Sequence, residues 1–310
     1  MEVTQLQKKR VSVRGMGVDV DSLTVENKAV LLSGRFLKIA ALEEEWYKDV
    51  EDPANFVKAL KDSPAKVDMF TFWQRYPEDE VKYKYHAEME SLAVLPIQSF
   101  DHWWKNEIRS RIRSKIRKAE NKGVVVKRVE YDDAFVQGMT DIFNETPVRQ
   151  GRPFWHYGKD FETVKREFSR YLDREQLVGA YYGEELIGFM FLGDAGRYAV
   201  PGQILAKVEH RDKGTIYSLI AKAIELCVEN STPHLLYFHW GEGNFSEFKR
   251  RCGFKKVMVP RYYVPLTLKA RLALGLRLHR GVVGALPKKG VRLLKRIRSG
   301  YYTRKARQSS

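Results

Sequence analysis

From residue 176 to residue 265 the apolar and polar positions fall into blocks that switch between the strand period and the helix period. Residues 176–182 (QLVGAYY) are apolar and rich in strand formers, Gly183-Glu184-Glu185 supplies a turn, and residues 186–192 (LIGFMFL) return. That pattern predicts a β-hairpin. A strand over about 202–208 leads into Arg211-Asp212-Lys213-Gly214-Thr215. There a helix opens over about 215–229, with Leu219, Ala223, Leu226 and Cys227 on one face. Residues 234–240 read as a buried strand. Residues 244–251 read as a helix closed at Gly253, where a positive φ is tolerated, and 256–264 as a last strand.

Upstream, residues 1–20 predict a lead segment or one edge strand, and 29–33 and 36–42 predict strands joined at Gly34. Asp52-Pro53 predicts an N-cap and first position for a helix over 53–61. Strands are expected over 67–73 and 89–96. A long basic helix is expected over about 100–122, because Trp104, Ile108, Ile112, Ile116 and Ala119 make one apolar stripe. Lys105, Arg109, Arg111, Arg113, Lys115, Arg117 and Lys118 take its other faces, either as a solvated link or as contacts to phosphates of a donor or of RNA. A strand over 124–130 and a helix over 132–144 follow. Residues 144–159 (NETPVRQGRPFWHYGK) have no period and read as a loop. Such loops line acceptor pockets or simply pack aromatics beneath a helix.

Charge changes the picture at one end. The chain has 310 residues, 44% of them hydrophobic, and a net charge of +16. From Phe248 onward there are 19 Lys and Arg and no acid; the first 247 residues hold the other 36 against all 39 acidic residues, a net of −3. The body is near neutral and the end is cationic. Within 266–310, leucines and other apolar residues interleave with Lys and Arg, which predicts one or two basic amphipathic helices suited to an anionic membrane surface. Cys227 and Cys252 have no metal-ligand spacing and point to a reducing compartment, and no metal site is expected. No apolar leader or spanning run is present in the pattern, so a cytoplasmic protein, peripheral at the inner face of the membrane, is expected.

The loop at Arg211 carries the candidate chemistry. Backbone amides at a helix N-terminus, two flanking cations and a glycine make a pyrophosphate cradle, although an ordinary capped helix after a basic turn has the same look. Arg211 and Gly214 match the Arg/Gln-x-x-Gly-x-Gly/Ala loop of the GNAT acyltransferase superfamily, with Leu219 in place and Ile216 where that family has a small residue. Asn244, followed by Phe248-Lys249-Arg250-Arg251-Cys252-Gly253-Phe254, resembles the family's later Asn and Gly-Phe segment. Lys249 stands where many of these enzymes have a tyrosine. Phe248-Lys249, and Arg117-Lys118-Ala119 with Lys122-Gly123, are similar to Fem-like peptidyltransferases, which carry two such lobes in one chain.

The resemblance implies an α/β (α+β) fold with a mixed central sheet of GNAT type in two tandem lobes. Residues 1–99 would form a degenerate first lobe, 100–175 a connecting basic helix with acceptor-side helices, 176–265 the donor-binding core, and 266–310 the basic tail. It implies transfer from acetyl-CoA or another acyl-CoA to an amine or hydroxyl, with a small molecule or a cell-envelope precursor as acceptor. The alternatives are an aminoacyl-tRNA-dependent peptidyltransferase of Fem type, tRNA being the second-ranked partner, and a non-catalytic membrane-docking module. Donor-binding candidates are Val208, Arg211, Lys213, Gly214, Thr215, Asn244 and Lys249. Catalytic candidates are His239 and Glu242 at a strand end, and His156 and Glu145 from the aperiodic loop. Arg149, Arg152, Tyr157 and Trp240 are the acceptor-binding candidates.

Overall fold

The computed structural model describes residues 6–13 and 16–280. In chain order the elements are β1 (Gln7–Val13), β2 (Met16–Val25), β3 (Lys28–Ser33), β4 (Ile39–Leu42), α1 (Pro53–Asp62), β5 (Met69–Trp73) and β6 (His86–Pro96). Next come α2 (Phe100–His102), α3 (Ser110–Asn121), β7 (Val124–Val129), α4 (Asp133–Asn144), β8 (Val148–Arg149), β9 (Arg152–Pro153) and α5 (Phe161–Phe168). The rest are β10 (Glu175–Tyr182), β11 (Glu185–Asp194), β12 (Ala199–Ala206), α6 (Thr215–Glu229), β13 (His234–His239), α7 (Asn244–Arg251), β14 (Lys255–Pro265) and α8 (Leu268–Gly275). Helix starts follow their caps: Asp52, Asp132 and Asp160 side chains accept first-turn amides of α1, α4 and α5.

The chain divides into two compact units. One comprises the described residues of 1–90, 147–155 and 259–310, and the other those of 91–146 and 156–258. The strand order in the first unit is β1-β2-β3-β4-β5-β14. All neighbours are antiparallel except β4 and β5, which run parallel across the α1 crossover. Its core gathers Leu23, Val30, Phe56, Leu60, Phe70, Phe72 and Tyr262. In the second unit the order is β6-β13-β12-β11-β10-β7, with β12 and β13 parallel across the α6 crossover. Its core packs α3 and α6 on the sheet through Ile112, Ile116, Leu219, Ala223, Ile224, Val178 and Met190.

One expected element is broken. The basic stretch starts as α2, passes through a π turn at Trp103–Glu107, and is extended at Ile108 and Arg109 before α3 begins. Tertiary bonds override the continuous stripe. The Trp103 indole, 1% exposed, donates to the Cys252 carbonyl at 2.9 Å, and the Arg109 amide donates to the Arg251 carbonyl. Arg113 Nη1 then gathers the carbonyls of Trp104, Lys105 and Ile108, which the break would otherwise orphan. At the N-terminus two paired strands, β1 and β2, stand where one edge strand is expected. At the other end α8 is formed, and the rest of the tail helices expected beyond Arg280 lie outside the described residues.

Candidate active site

The site is built on a parallel strand pair that fails to zip. β12 and β13 are in register at Ala199 and Leu235, and no further pair is formed along β12 to Ala206 or β13 to His239. The cause lies in β13. Against β6, Leu236 faces Val94 but His239 faces Leu92, so Tyr237 and Phe238 together stand opposite Ala93. This is a β-bulge, with Phe238 at φ +44°, and it turns the strand's end away from regular pairing.

A lysine holds the bulge. Lys249 of α7 is 0% exposed, and its Nζ donates to the carbonyls of Tyr237 (2.5 Å) and His239, on either side of Phe238. Those carbonyls find in the ammonium the partner that a neighbouring strand would have supplied. Phe245 and Tyr237 rings lie 4.1 and 4.6 Å from Nζ. Burial pushes the Lys249 amine down to about 7.

Beyond β12 the Val208 and Glu209 amides donate to the two carboxylate oxygens of Glu145, at 2.7 and 2.8 Å. Glu145 is the C-cap residue of α4, so a helix end brings a carboxylate to the strand end. A 3-10 turn at Arg211–Lys213 follows, with Lys213 Nζ 3.8 Å from the centre of the Tyr182 ring and Arg211 exposed. Gly214 then caps α6 at φ +67°, and no side chain caps that helix. A β-carbon on Gly214 would sit 3.3 Å from the Lys115 carbonyl of α3, and Lys122, the C-cap of that helix, pairs with Asp212 at 2.6 Å. Left-handed backbone and close helix packing therefore both require glycine here. In the first turn of α6, Thr215 and Ser218 are 3% and 6% exposed, and their hydroxyls have no hydrogen-bond partner among the described residues.

Val208, Arg211, Lys213, Gly214 and Thr215 thus share one turn with Glu145, while Lys249 meets the end of β13 beside His239. His239, Glu242 and Asn244 are exposed at that end, and Trp240 is half-buried with its amide on the Ser91 carbonyl. His156 stacks on Phe143 at 4.6 Å and lies 5.5 Å from Phe168, and burial pushes its imidazole down to about 4. Tyr157 is exposed. Arg149 and Arg152 belong to the β8–β9 hairpin of the first unit, where Arg149 lies 5.0 Å from the Phe154 ring centre. Among the described residues no group of three or more His, Cys, Asp or Glu could hold a metal ion, and no helix is long and apolar enough to cross a membrane.

Sequence reasoning placed Lys249 as a donor ligand and missed its tie to the bulge. A usable signal was present: Phe245, Phe248, Lys249 and Cys252 follow helical spacing, so the lysine sits in an apolar stripe. The hold of Glu145 on two amides had no such signal, because its partners lie 63 and 64 residues away.

No family model matches the chain, and no curated protein matches it in sequence. Solved structures do match. FemX aligns over 88% of this chain and 90% of its own, with a TM-score of 0.57 and 12% identity. The C-terminal domain of a protein described as a lysylphosphatidylglycerol synthetase from Agrobacterium fabrum aligns over 83% and 87%, with a TM-score of 0.56 and 13% identity. L-PGS from Bacillus licheniformis aligns over 81% and 85%, at 0.53 and 13%. At such identities the likeness is one of fold, and the fold of this chain is the GNAT type that these proteins share.

Proposed function

We propose that this chain is an acyltransferase that moves an acyl group from a phosphate-bearing carrier to an amine or hydroxyl. The observation that carries the proposal is the opening between β12 and β13, kept by a bulge whose carbonyls are tied to Lys249. Opened parallel strands leave backbone donors and acceptors for an extended ligand, at the sheet end where helix α6 begins. In the reaction the acceptor's lone pair attacks the acyl carbon, its proton passes to a base, and the bond from carbonyl carbon to carrier sulfur or oxygen breaks. His239 and Glu242 are the exposed titratable groups at the end of β13 and are our candidates for that base. Lys249 acts as a positioning residue, since its amine is bonded to the Tyr237 and His239 carbonyls of the strand.

Acyl-CoA is the donor we favour. Arg211 and the uncapped start of α6 suit a diphosphate, and the buried hydroxyls of Thr215 and Ser218 add polar groups that lack partners. Aminoacyl-tRNA is the second reading. Glu145 already occupies two amides that a pantetheine arm would use, and one neighbour's name speaks of a lysyl product. The finer assignment of the acceptor is a cell-envelope precursor met by a cytoplasmic protein at the inner face of the membrane.

Calorimetric titration with acetyl-CoA and, separately, with aminoacyl-tRNA tests the donor. Binding of acetyl-CoA, tightened in Glu145→Ala because two amides are released, is the expected result. Binding of aminoacyl-tRNA alone reverses the order of donors. Binding of neither, in wild type and variant, removes the transferase reading.

A further inference from the structure

In the first unit, α8 presents leucines to both of its sides. Ala270 and Leu274 face inward and pack with Met69, Tyr263, Leu37 and Ile39. At about 3.6 residues per turn, Leu268, Leu272 and Leu276 fall on the opposite side. They are 76%, 70% and 67% exposed. Lys269 and Arg271 flank that outward stripe, one on each side. Phe36, 90% exposed, adjoins Leu37, which packs on the same small cluster, and Arg35 beside it is exposed.

The mounting of this helix is firm at both ends. Thr267 caps it and donates to Asp68, which also receives Lys269 at 2.8 Å and the Lys38 amide. After its last turn His279 is hydrogen-bonded to Glu88 at 3.0 Å, and Arg280 Nε donates to the same carboxylate. Bonds at both ends hold the leucines outward and leave an apolar stripe uncovered, with exposed Arg271 on one flank and Lys269, paired to Asp68, on the other. The chain that follows Arg280 adds nine Lys and Arg and no acid.

We propose that Phe36 and the outward face of α8 form a docking surface for an anionic phospholipid membrane. The charge decides for lipid over the other occupants. The sequence of residues 281–310 has the same sign of charge as the exposed Arg271 and Arg277, and a second copy would bring that sign again, so neither is complementary to this face in charge. An anionic bilayer accepts the leucines and the cations together. This surface stands independently of the acyltransferase reading, since no residue of the β12–β13 opening takes part.

Co-sedimentation of the full chain with vesicles tests it. Wild type should pellet with phosphatidylcholine vesicles that also carry phosphatidylglycerol, and remain in solution with phosphatidylcholine alone. Leu268→Ser, Leu272→Ser and Leu276→Ser made together should lower the partition coefficient about ten-fold or more, with melting unchanged. Phe36→Ser alone, remote from the helix backbone, should lower it a few-fold. Equal pelleting of the triple variant and wild type would move the contact elsewhere and overturn the proposal. So would equal pelleting with both lipids, or none with either. A wild-type dimer that the triple variant dissolves would assign the stripe to a second copy. Retention on RNA with no vesicle binding would assign it to nucleic acid.

Discussion

The two units repeat one strand plan and differ at the point where a ligand would enter. In each, four strands run antiparallel, a fifth lies parallel across a helical crossover, and a sixth closes the order antiparallel: β1-β2-β3-β4-β5-β14 in one, β7-β10-β11-β12-β13-β6 in the other. In the first unit the parallel pair is zipped, with Ile39, Ala40 and Ala41 facing Met69, Phe70 and Thr71. Its crossover helix is closed as well. Asp52 accepts the Ala54 and Asn55 amides at 3.0 Å, and Pro53 has no amide to offer. In the second unit the pair opens after one partner, and α6 starts from a glycine with no side-chain cap. The same frame can therefore be sealed or left open, and a bulge and a cap decide which.

The largest expected effect comes from removing what keeps the second unit open. Lys249→Ala leaves the Tyr237 and His239 carbonyls without their donor and a cavity beneath the Phe245 ring. It should cost about 3 kcal/mol of stability. Acyl transfer should fall about a hundred-fold, an activation difference of about 2.7 kcal/mol. Lys249→Met restores most of the volume, and so separates packing from the tie. The pH dependence sharpens this. Burial lowers the amine from 10.5 to about 7 in the folded chain, so the folded state holds that proton less tightly than the unfolded one. The penalty is fully present below pH 7 and fades as pH rises toward 10.5. Urea unfolding of wild type and Lys249→Met across that window should show wild type gaining ground with pH. A constant gap would mean that the amine is not depressed.

The two crossover starts give intermediate effects. Gly214→Ala meets both a positive φ and the Lys115 carbonyl, and should cost about 2 kcal/mol in a denaturant titration, with loss of donor binding. Asp52→Ala in the first unit should cost about 1 kcal/mol and leave donor binding as it was. A change in acyl-CoA affinity from Asp52→Ala would break the contrast between a sealed unit and an open one.

What the sequence made legible followed from the range of the interactions. The hairpin expected at 176–182 and 186–192 is β10 and β11, the helix at 215–229 is α6, and Asp52 caps where expected, all through local patterns. The loop at Arg211 was visible for the same reason. The break at Ile108 was not, because it is set by the Trp103 indole reaching a carbonyl 149 residues away. The role of Lys249 was half visible. Its helical stripe pointed inward, but the bulge that it ties depends on β6 pairing with β13 across the chain. The failure of β12 and β13 to pair carries no local signature, since both strands read as ordinary apolar runs.

The smallest effect tests whether the open start of α6 is kept for a ligand. The Thr215 hydroxyl is buried without a partner, and its methyl lies 2.6 Å from where a β-carbon on Gly188 would stand, so the side chain is tightly seated against β11. At the start of α1 in the first unit the arrangement differs: there the Asp52 side chain accepts the Ala54 and Asn55 amides and Pro53 follows it. Thr215→Val keeps the shape and removes an unpaired hydroxyl. The ligand-free protein should therefore be unchanged or more stable by about 0.5 kcal/mol. If the hydroxyl is held for a donor, acetyl-CoA affinity should fall a few-fold in the same variant. Stability lost on the substitution would mean that the hydroxyl already bonds within the protein. Affinity retained would mean that the buried polar turn of α6 is a feature of packing, and that the contrast between the units rests on the strand opening alone.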